Sequence, residues 1–219
     1  MSEWLAAEKV EEYRGRADRI PHRTEGEMVL LELLPERVER VLDLGCGDGR
    51  LLALVLGARP EAGGVGVDFS PPMLERARER FAGVSGVELR KHDLAESLPD
   101  LGRFELVVSR LAIHHLEDPR KRELYSEVFG MLRPGGRFSN LEHVSSPTPA
   151  LHHEFLEIAA VPEDPSNRLL DVDTQLGWLR ELGYADVDCF WKWREIALLS
   201  GARAATQAGR AARRRRGRR

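Results

Sequence analysis

Residues 41–50 read Val-Leu-Asp-Leu-Gly-Cys-Gly-Asp-Gly-Arg, an apolar run that breaks into glycines at 45, 47 and 49. A short run of this kind suits a strand buried on both faces, as in a parallel sheet covered by helices. In such sheets the ligand crevice lies beyond the carboxyl ends of the strands. Gly45 and Gly47 leave no side chain there, so a ligand can meet the main chain, and Gly49 lets the next helix start close to the sheet. Cys46, small and between two glycines, completes the turn. Arg50 stands where a dinucleotide-binding loop would carry its third glycine, and Asp48 sets negative charge where a pyrophosphate would dock. The loop is expected to hold a ligand without phosphates.

Working outward, strand and helix patterns alternate. Strands are expected at Val41–Leu44, Val65–Asp68, Val87–Lys91, Glu105–Val108 and Arg137–Leu141. Helices are expected at Glu3–Tyr13, Arg23–Leu34, Arg50–Leu56, Pro71–Phe81 and Arg120–Leu132, the last stopped by Pro134-Gly135-Gly136. Strands separated by helices imply parallel units with right-handed crossovers. After a helix at Thr174–Leu182, Asp186–Trp191 and Glu195–Leu199 read as a hairpin turning at Lys192–Arg194. Trp191 and Trp193 alternate on that hairpin and so share a face, which suits core packing. The expected class is therefore α/β, a Rossmann-like doubly wound sheet, mostly parallel with an antiparallel C-terminal strand. One domain is expected over 1–202, with N-terminal helices in 1–34. A cap is expected at 145–172, broken by Pro147, Pro149, Pro162 and Pro165 around a short helix near Leu151–Ala160.

The chain has 219 residues, enough for one α/β domain with a full core. Its apolar runs fall short of a membrane span, the charged N-terminus does not resemble a signal peptide, and two cysteines make no disulfide framework. A reducing, cytoplasmic setting is expected, with the protein a monomer or homodimer. The net charge of -3 hides an asymmetry: residues 210–219 hold seven arginines and no acid, which leaves -10 on residues 1–209. An acidic body is a poor general phosphate binder. The arginine-rich tail over 203–219 reads as a disordered, solvated end; an arm for nucleic acid or another anionic surface is the less favoured alternative.

The second strand ends in Asp68, placed to accept from ribose hydroxyls, and the third runs into His92-Asp93-Leu94, a second carboxylate at a neighbouring tip. Two acids beside a glycine loop match a nucleoside with a free ribose and an exocyclic amine.

Taken in order, VLDLGCGDG, VGVDFSPPMLERAR, HDL, FELVVSRLAIHHLED and LRPGGRF resemble the class I S-adenosylmethionine-dependent methyltransferases over about residues 40–140. The resemblance implies a seven-stranded sheet and S-adenosylmethionine as cofactor. It implies that Asp43 and the Gly45–Gly47 backbone, with Cys46 between, face the methionine part, and that Asp68 holds the ribose. Phe69 and Met73 would flank the adenine edge, Asp93 and Leu94 would read its amine and ring nitrogen, and the main chain at Ser109 and Arg110 would line the sulfonium side.

Methyl transfer needs an aligned acceptor and a dry site, and a base only where the acceptor must lose a proton. His114 and His115 follow the fourth strand and are the candidate bases, His114 first. The fourth strand ends Ser109-Arg110-Leu111-Ala112, unlike the Asn/Asp-Pro-Pro-Tyr pattern of nucleic-acid amine methylation. Glu142, His143, His152 and His153 lack a metal-ligand spacing and are expected to line or cap an acceptor pocket, so no metal is expected. A looser resemblance to carboxy-S-adenosylmethionine synthase makes Arg168 a candidate to grip an extra carboxylate. The expected activity is methylation of a small-molecule acceptor. A tRNA-modifying enzyme and a non-catalytic cofactor-binding protein stand as alternatives.

Overall fold

The computed structural model describes residues 21–205, so the expected helix at Glu3–Tyr13 and the arginines of 210–219 lie outside the described residues. The elements run α1 (Arg23–Glu32), β1 (Arg40–Leu44), α2 (Arg50–Ala58), β2 (Gly63–Asp68), α3 (Pro71–Arg80), β3 (Val87–Lys91) and β4 (Phe104–Arg110). A 3-10 turn (Ile113–His115) comes next, then α4 (Asp118–Met131), β5 (Leu132–His143), α5 (Pro149–Ala159), α6 (Val172–Glu181), β6 (Ala185–Trp193) and β7 (Ile196–Ala202).

All seven strands form one sheet in the order β3-β2-β1-β4-β5-β7-β6. Neighbours from β3 to β5 are parallel, and β7 is antiparallel to both β5 and β6. The chain winds outward from β1 in one direction and from β4 in the other, so the switch point lies between their tips, which is where such sheets bind ligands.

Alternation along the central strands divides the core. Leu42, Leu44, Val65, Val67, Val107 and Phe138 face one side, where Leu124, Tyr125 and Val128 of α4 and Leu176 and Leu179 of α6 cover them. Val41, Leu106, Val108 and Leu141 face the other, under Leu30 of α1, Leu51, Leu52 and Val55 of α2, and Phe155 of α5. Each fully buried aliphatic side chain contributes about 1.5–3 kcal/mol by leaving water. Asp43 lies between Leu42 and Leu44 and so points to the α1–α2 side with Val41.

Two expectations change. β5 starts at Leu132, ahead of the proline–glycine stop, because Leu132 pairs with Phe104 and Arg137 with Leu106, and the residues between loop out as a bulge. The turn that carries the two histidines was not expected as an element. Trp191 and Trp193 do share the half-buried face of β6, packed on the α1–α5 side of the core. In the proline-broken segment, the Thr148 hydroxyl accepts from the Leu151 amide and caps α5, and Asp171 caps α6 through the Thr174 amide.

Candidate active site

The turn after β1 is held by left-handed glycines, Gly45 at φ 67° and Gly47 at φ 54°. They serve different ends. A Cβ on Gly45 would stand 2.3 Å from the Ala112 Cβ, so this glycine lets the loop pack against the segment after β4. A Cβ on Gly47 would meet nothing within 4 Å, so its backbone faces open space. A cavity of about 430 Å³ opens here, and Asp43, Gly45, Cys46, Gly47, Met73 and Arg110 are among its lining residues.

Asp43 is 1% exposed, and neither carboxylate oxygen has a hydrogen-bond partner of normal geometry, although the Leu52 amide in the first turn of α2 faces it. Burial pushes its pKa up to about 7 against the pull of the Arg110 guanidinium. A buried acid without a partner, lining a cavity beside bare main chain, is a place for a cation. S-adenosylmethionine, positive at sulfur and at its amino group, fits that requirement.

Asp68 is also buried, and burial raises its pKa, but it is well bonded: Oδ2 accepts from the Gly47 amide and Oδ1 from the Ser70 amide, each at 2.8 Å. Those bonds fix the carboxylate at the tip of β2 and leave lone pairs on both oxygens for hydroxyl donors. Asp93 forms a turn with the Ala95 amide at 2.9 Å, and the β2–β3 pairing sets it near Asp68. Asp48 is not an unmatched charge on the loop: its carboxylate pairs with Arg80 at 2.8 Å. The acidity that matters is thus concentrated on Asp43.

Among the remaining expected residues, Met73 lines the cavity, Phe69 is half-buried after β2, and Leu94 is buried near the Gly45 turn. The Ser109 hydroxyl donates to the Leu44 carbonyl at 2.8 Å, so that side chain ties β4 to β1. The Cys46 thiol lies beside Gly66, where burial raises its pKa, and Cys46 is among the residues lining the cavity.

An arginine cluster beside the loop escaped the sequence reading. Buried Glu27 of α1 faces Arg110 at 2.5 Å, Arg23 at 3.5 Å and Arg50 at 3.7 Å, and all three arginines line the cavity. The Arg23–Glu27 spacing of four was a legible helix pair, but its burial against β4 was not.

The second group sits at the tips of β4 and β5. His114 is buried, with Nδ1 2.5 Å from Oε1 of Glu142, itself 1% exposed. Burial works to raise the Glu142 carboxyl, but the His114 ring and the His143 amide outweigh it and hold the acid below its ordinary range. His115 lies against His114, ring centroids 4.0 Å apart. Burial, then the neighbouring His114, pushes its pKa down to about 4. It therefore stays neutral at ordinary pH. His143 at the end of β5 and His152 of α5 both bond Glu195 at 2.9 Å, which ties β5 and α5 to the β6–β7 turn. Arg168 is 46% exposed and pairs with Glu117 at 2.9 Å, away from the cavity. Among the described residues no group of three or more acids, histidines or cysteines is arranged to hold a metal, and no helix is long and apolar enough to cross a membrane.

This arrangement agrees with what the chain is similar to. A family model described as a methyltransferase domain matches residues 41–136. An uncharacterised methyltransferase of Mycobacterium tuberculosis is 36% identical over 121 residues, which are 55% of this chain and 57% of the relative. The match thus spans little more than half of that relative's length. A demethylmenaquinone methyltransferase of Clavibacter sepedonicus is 31% identical over 172 residues, 70% of this chain and 69% of its own. An O-methyltransferase family protein from Burkholderia thailandensis shares the fold, with a TM-score of 0.68 at 24% identity over 84% of this chain and 57% of that one. From the glycine turn and its buried acid to the antiparallel seventh strand, the chain belongs to the class I S-adenosylmethionine-dependent methyltransferases.

Proposed function

We propose that the protein methylates a small-molecule acceptor from S-adenosylmethionine, with His114 as the base that takes the acceptor's proton. The observation that carries this reading is the His114–Glu142 pair. His114 follows by two residues Ala112, which packs on the Gly45 turn, and its ring is held by a buried carboxylate. The relative named for demethylmenaquinone supports an acceptor of small-molecule type.

Bound S-adenosylmethionine supplies an electrophilic methyl group and a leaving group that departs neutral. Asp43 holds the positive end, the main chain at Gly45 and Gly47 lies along the methionine part, and Asp68 accepts from the ribose hydroxyls. Met73 and Phe69 pack at the adenine edge, with Asp93 and Leu94 at its polar rim. The Ser109–Arg110 main chain lines the methyl side. His114, with Nδ1 donating to Glu142, offers Nε2 to the acceptor. The setting is cytoplasmic.

Calorimetry with S-adenosylhomocysteine tests the cofactor half. Asp68→Ala leaves the Gly47 and Ser70 amides without their acceptor, and affinity is expected to fall about 10- to 100-fold. His114→Gln is expected to lower turnover about 10²- to 10⁴-fold while affinity for S-adenosylhomocysteine holds. Incubation with methyl-labelled cofactor and a metabolite extract should put label into small molecules; label in RNA, or undiminished turnover without His114, would overturn the reading.

A further inference from the structure

A charged cluster outside the cavity joins α5 to the β6–β7 turn. Glu195 on that turn is fully buried and takes His143 Nε2 from β5 and His152 Nδ1 from α5, each at 2.9 Å. On the other edge of the His152 ring, Nε2 lies 2.9 Å from Glu163, an exposed acid in the segment after α5. An ionised carboxylate can only accept, so both ring nitrogens of His152 must donate. Only the doubly protonated ring has two donors, and His152 is therefore an imidazolium bridging two acids. Burial works to lower the His152 pKa, but Glu195 and Glu163 outweigh it and hold it above the ordinary 6.5. Burial lowers that of His143, which donates as a neutral ring. Burial works to raise the Glu195 carboxyl, but bonds from His143, Ser146 and His152 keep it below its ordinary range. The other charged groups nearby are His153 on the same helix, its ring 6.1 Å from that of His152, and Arg194 of the turn, bound to Glu154 of α5 at 2.9 Å.

Glu163 stands near the start of the segment 161–170, which lies across the turn carrying His114 and His115. The Arg168 amide donates to the His114 carbonyl at 2.8 Å, and the Ser145 amide donates to the Leu170 carbonyl at 3.1 Å. The Lys121 ammonium reaches the Arg168 carbonyl, and the Ser166 hydroxyl lies 3.1 Å from His115 Nδ1. We propose that 161–170 is a strap over this turn, latched by doubly protonated His152 and loosened when that ring gives up one proton. Desolvation decides which bond is lost. A neutral His152 has a single N–H, and Glu195, cut off from water, needs it more than Glu163, which can turn to solvent. The proton therefore stays on Nδ1, the bare Nε2 faces Glu163, and that carboxylate swings out, releasing the near end of the strap. The fastening is present below the raised His152 pKa and is lost as pH rises through it. The histidine turn is then uncovered more often. These contacts belong to the strap itself, so the latch holds whether or not His114 is the base.

Nitrogen spectra of histidine-labelled protein read the ring, and amide hydrogen exchange reads the strap. His152 is expected to be doubly protonated at pH 6 and to lose a proton only above the ordinary histidine range. Between pH 6 and pH 9, protection of the Arg168 and Ser145 amides, corrected for the intrinsic rise of exchange with pH, is expected to fall about two- to tenfold while amides of β1 and β4 hold. His152→Lys supplies a cation with three donors that keeps its charge over this range, so protection of the strap should no longer depend on pH. Glu163→Ala, at an exposed position that leaves Glu195 its donors, should show the low protection already at pH 6. A singly protonated His152 at pH 6, a wild-type strap whose protection does not change, or an equal fall in His152→Lys overturns the proposal. So does wild-type protection in Glu163→Ala at pH 6. Should His152→Lys fail to fold, the comparison of wild type with Glu163→Ala still decides.

Discussion

Asp43→Asn is expected to make the ligand-free protein more stable, by about 2–4 kcal/mol near pH 8, while weakening its hold on S-adenosylmethionine on the order of 100-fold. The stability gain comes from the raised pKa. Asp43 sits at about 7 in the folded chain against an ordinary 3.8, so above neutrality folding must carry a buried carboxylate without a hydrogen-bond partner. Each unit of difference is worth about 1.4 kcal/mol, which sets the upper end of the range. The sign is that of an acid whose folded pKa is raised: the folded state binds the extra proton between pH 4 and 7, so stability from this group falls as pH rises through that window. The advantage of the variant should accordingly shrink toward pH 4. Urea melts at pH 5 and pH 8 check it, and a variant no more stable than wild type at pH 8 would show that Asp43 has a partner. Binding runs the other way. The cation needs the ionised carboxylate, so wild-type affinity should drop by up to tenfold per pH unit below about 7, and the dependence should flatten in Asp43→Asn. A site that destabilises its own fold until its ligand arrives is a common trade at functional centres.

Gly45 and Gly47, two residues apart, should separate folding from binding. Gly45→Ala adds a Cβ 2.3 Å from that of Ala112 at φ 67°. Left-handed strain of about 1–2 kcal/mol and overpacking of about 1–3 kcal/mol add to a loss of about 2–5 kcal/mol. Ala112→Gly in the same chain should return the packing share and leave the strain. Gly47→Ala meets no neighbour, so only the strain of about 1–2 kcal/mol is expected. Its methyl group enters the space where the cofactor lies against the main chain, and affinity for S-adenosylhomocysteine should fall more than about tenfold. Thermal melts and calorimetry on the three variants measure both effects. Equal stability losses at 45 and 47, or unchanged affinity in Gly47→Ala, would contradict the geometry.

Much of this site could be read along the chain because its parts are local. The strand–glycine–helix turn, an acid at the end of β2 and another just past β3 arise from periodicity and from the few residues a tight turn accepts. Misreadings arose where a residue's meaning depends on a distant neighbour. Asp48 looked like an open negative charge until Arg80, 32 positions on, was found across it. Arg168 looked like a cap residue reaching inward and instead pairs at the surface with Glu117. The start of β5 was hidden because a proline and two glycines, which end most elements, here fit a bulge.

The amino-acid order by itself determined the alternation of strand and helix, the reversal at β7 and the bare loop at the first strand tip, since each arises from contacts within a few residues. Only the folded chain decided which charges are matched. Glu27 meets Arg110 from 83 positions away, His114 finds Glu142 across two strands, and Asp43 is buried under α2 with only the pull of Arg110 and the Leu52 amide to offset its lost water. The cost of an ionised group depends on the water it loses and the partners it gains, and both are set by what tertiary packing brings to its side.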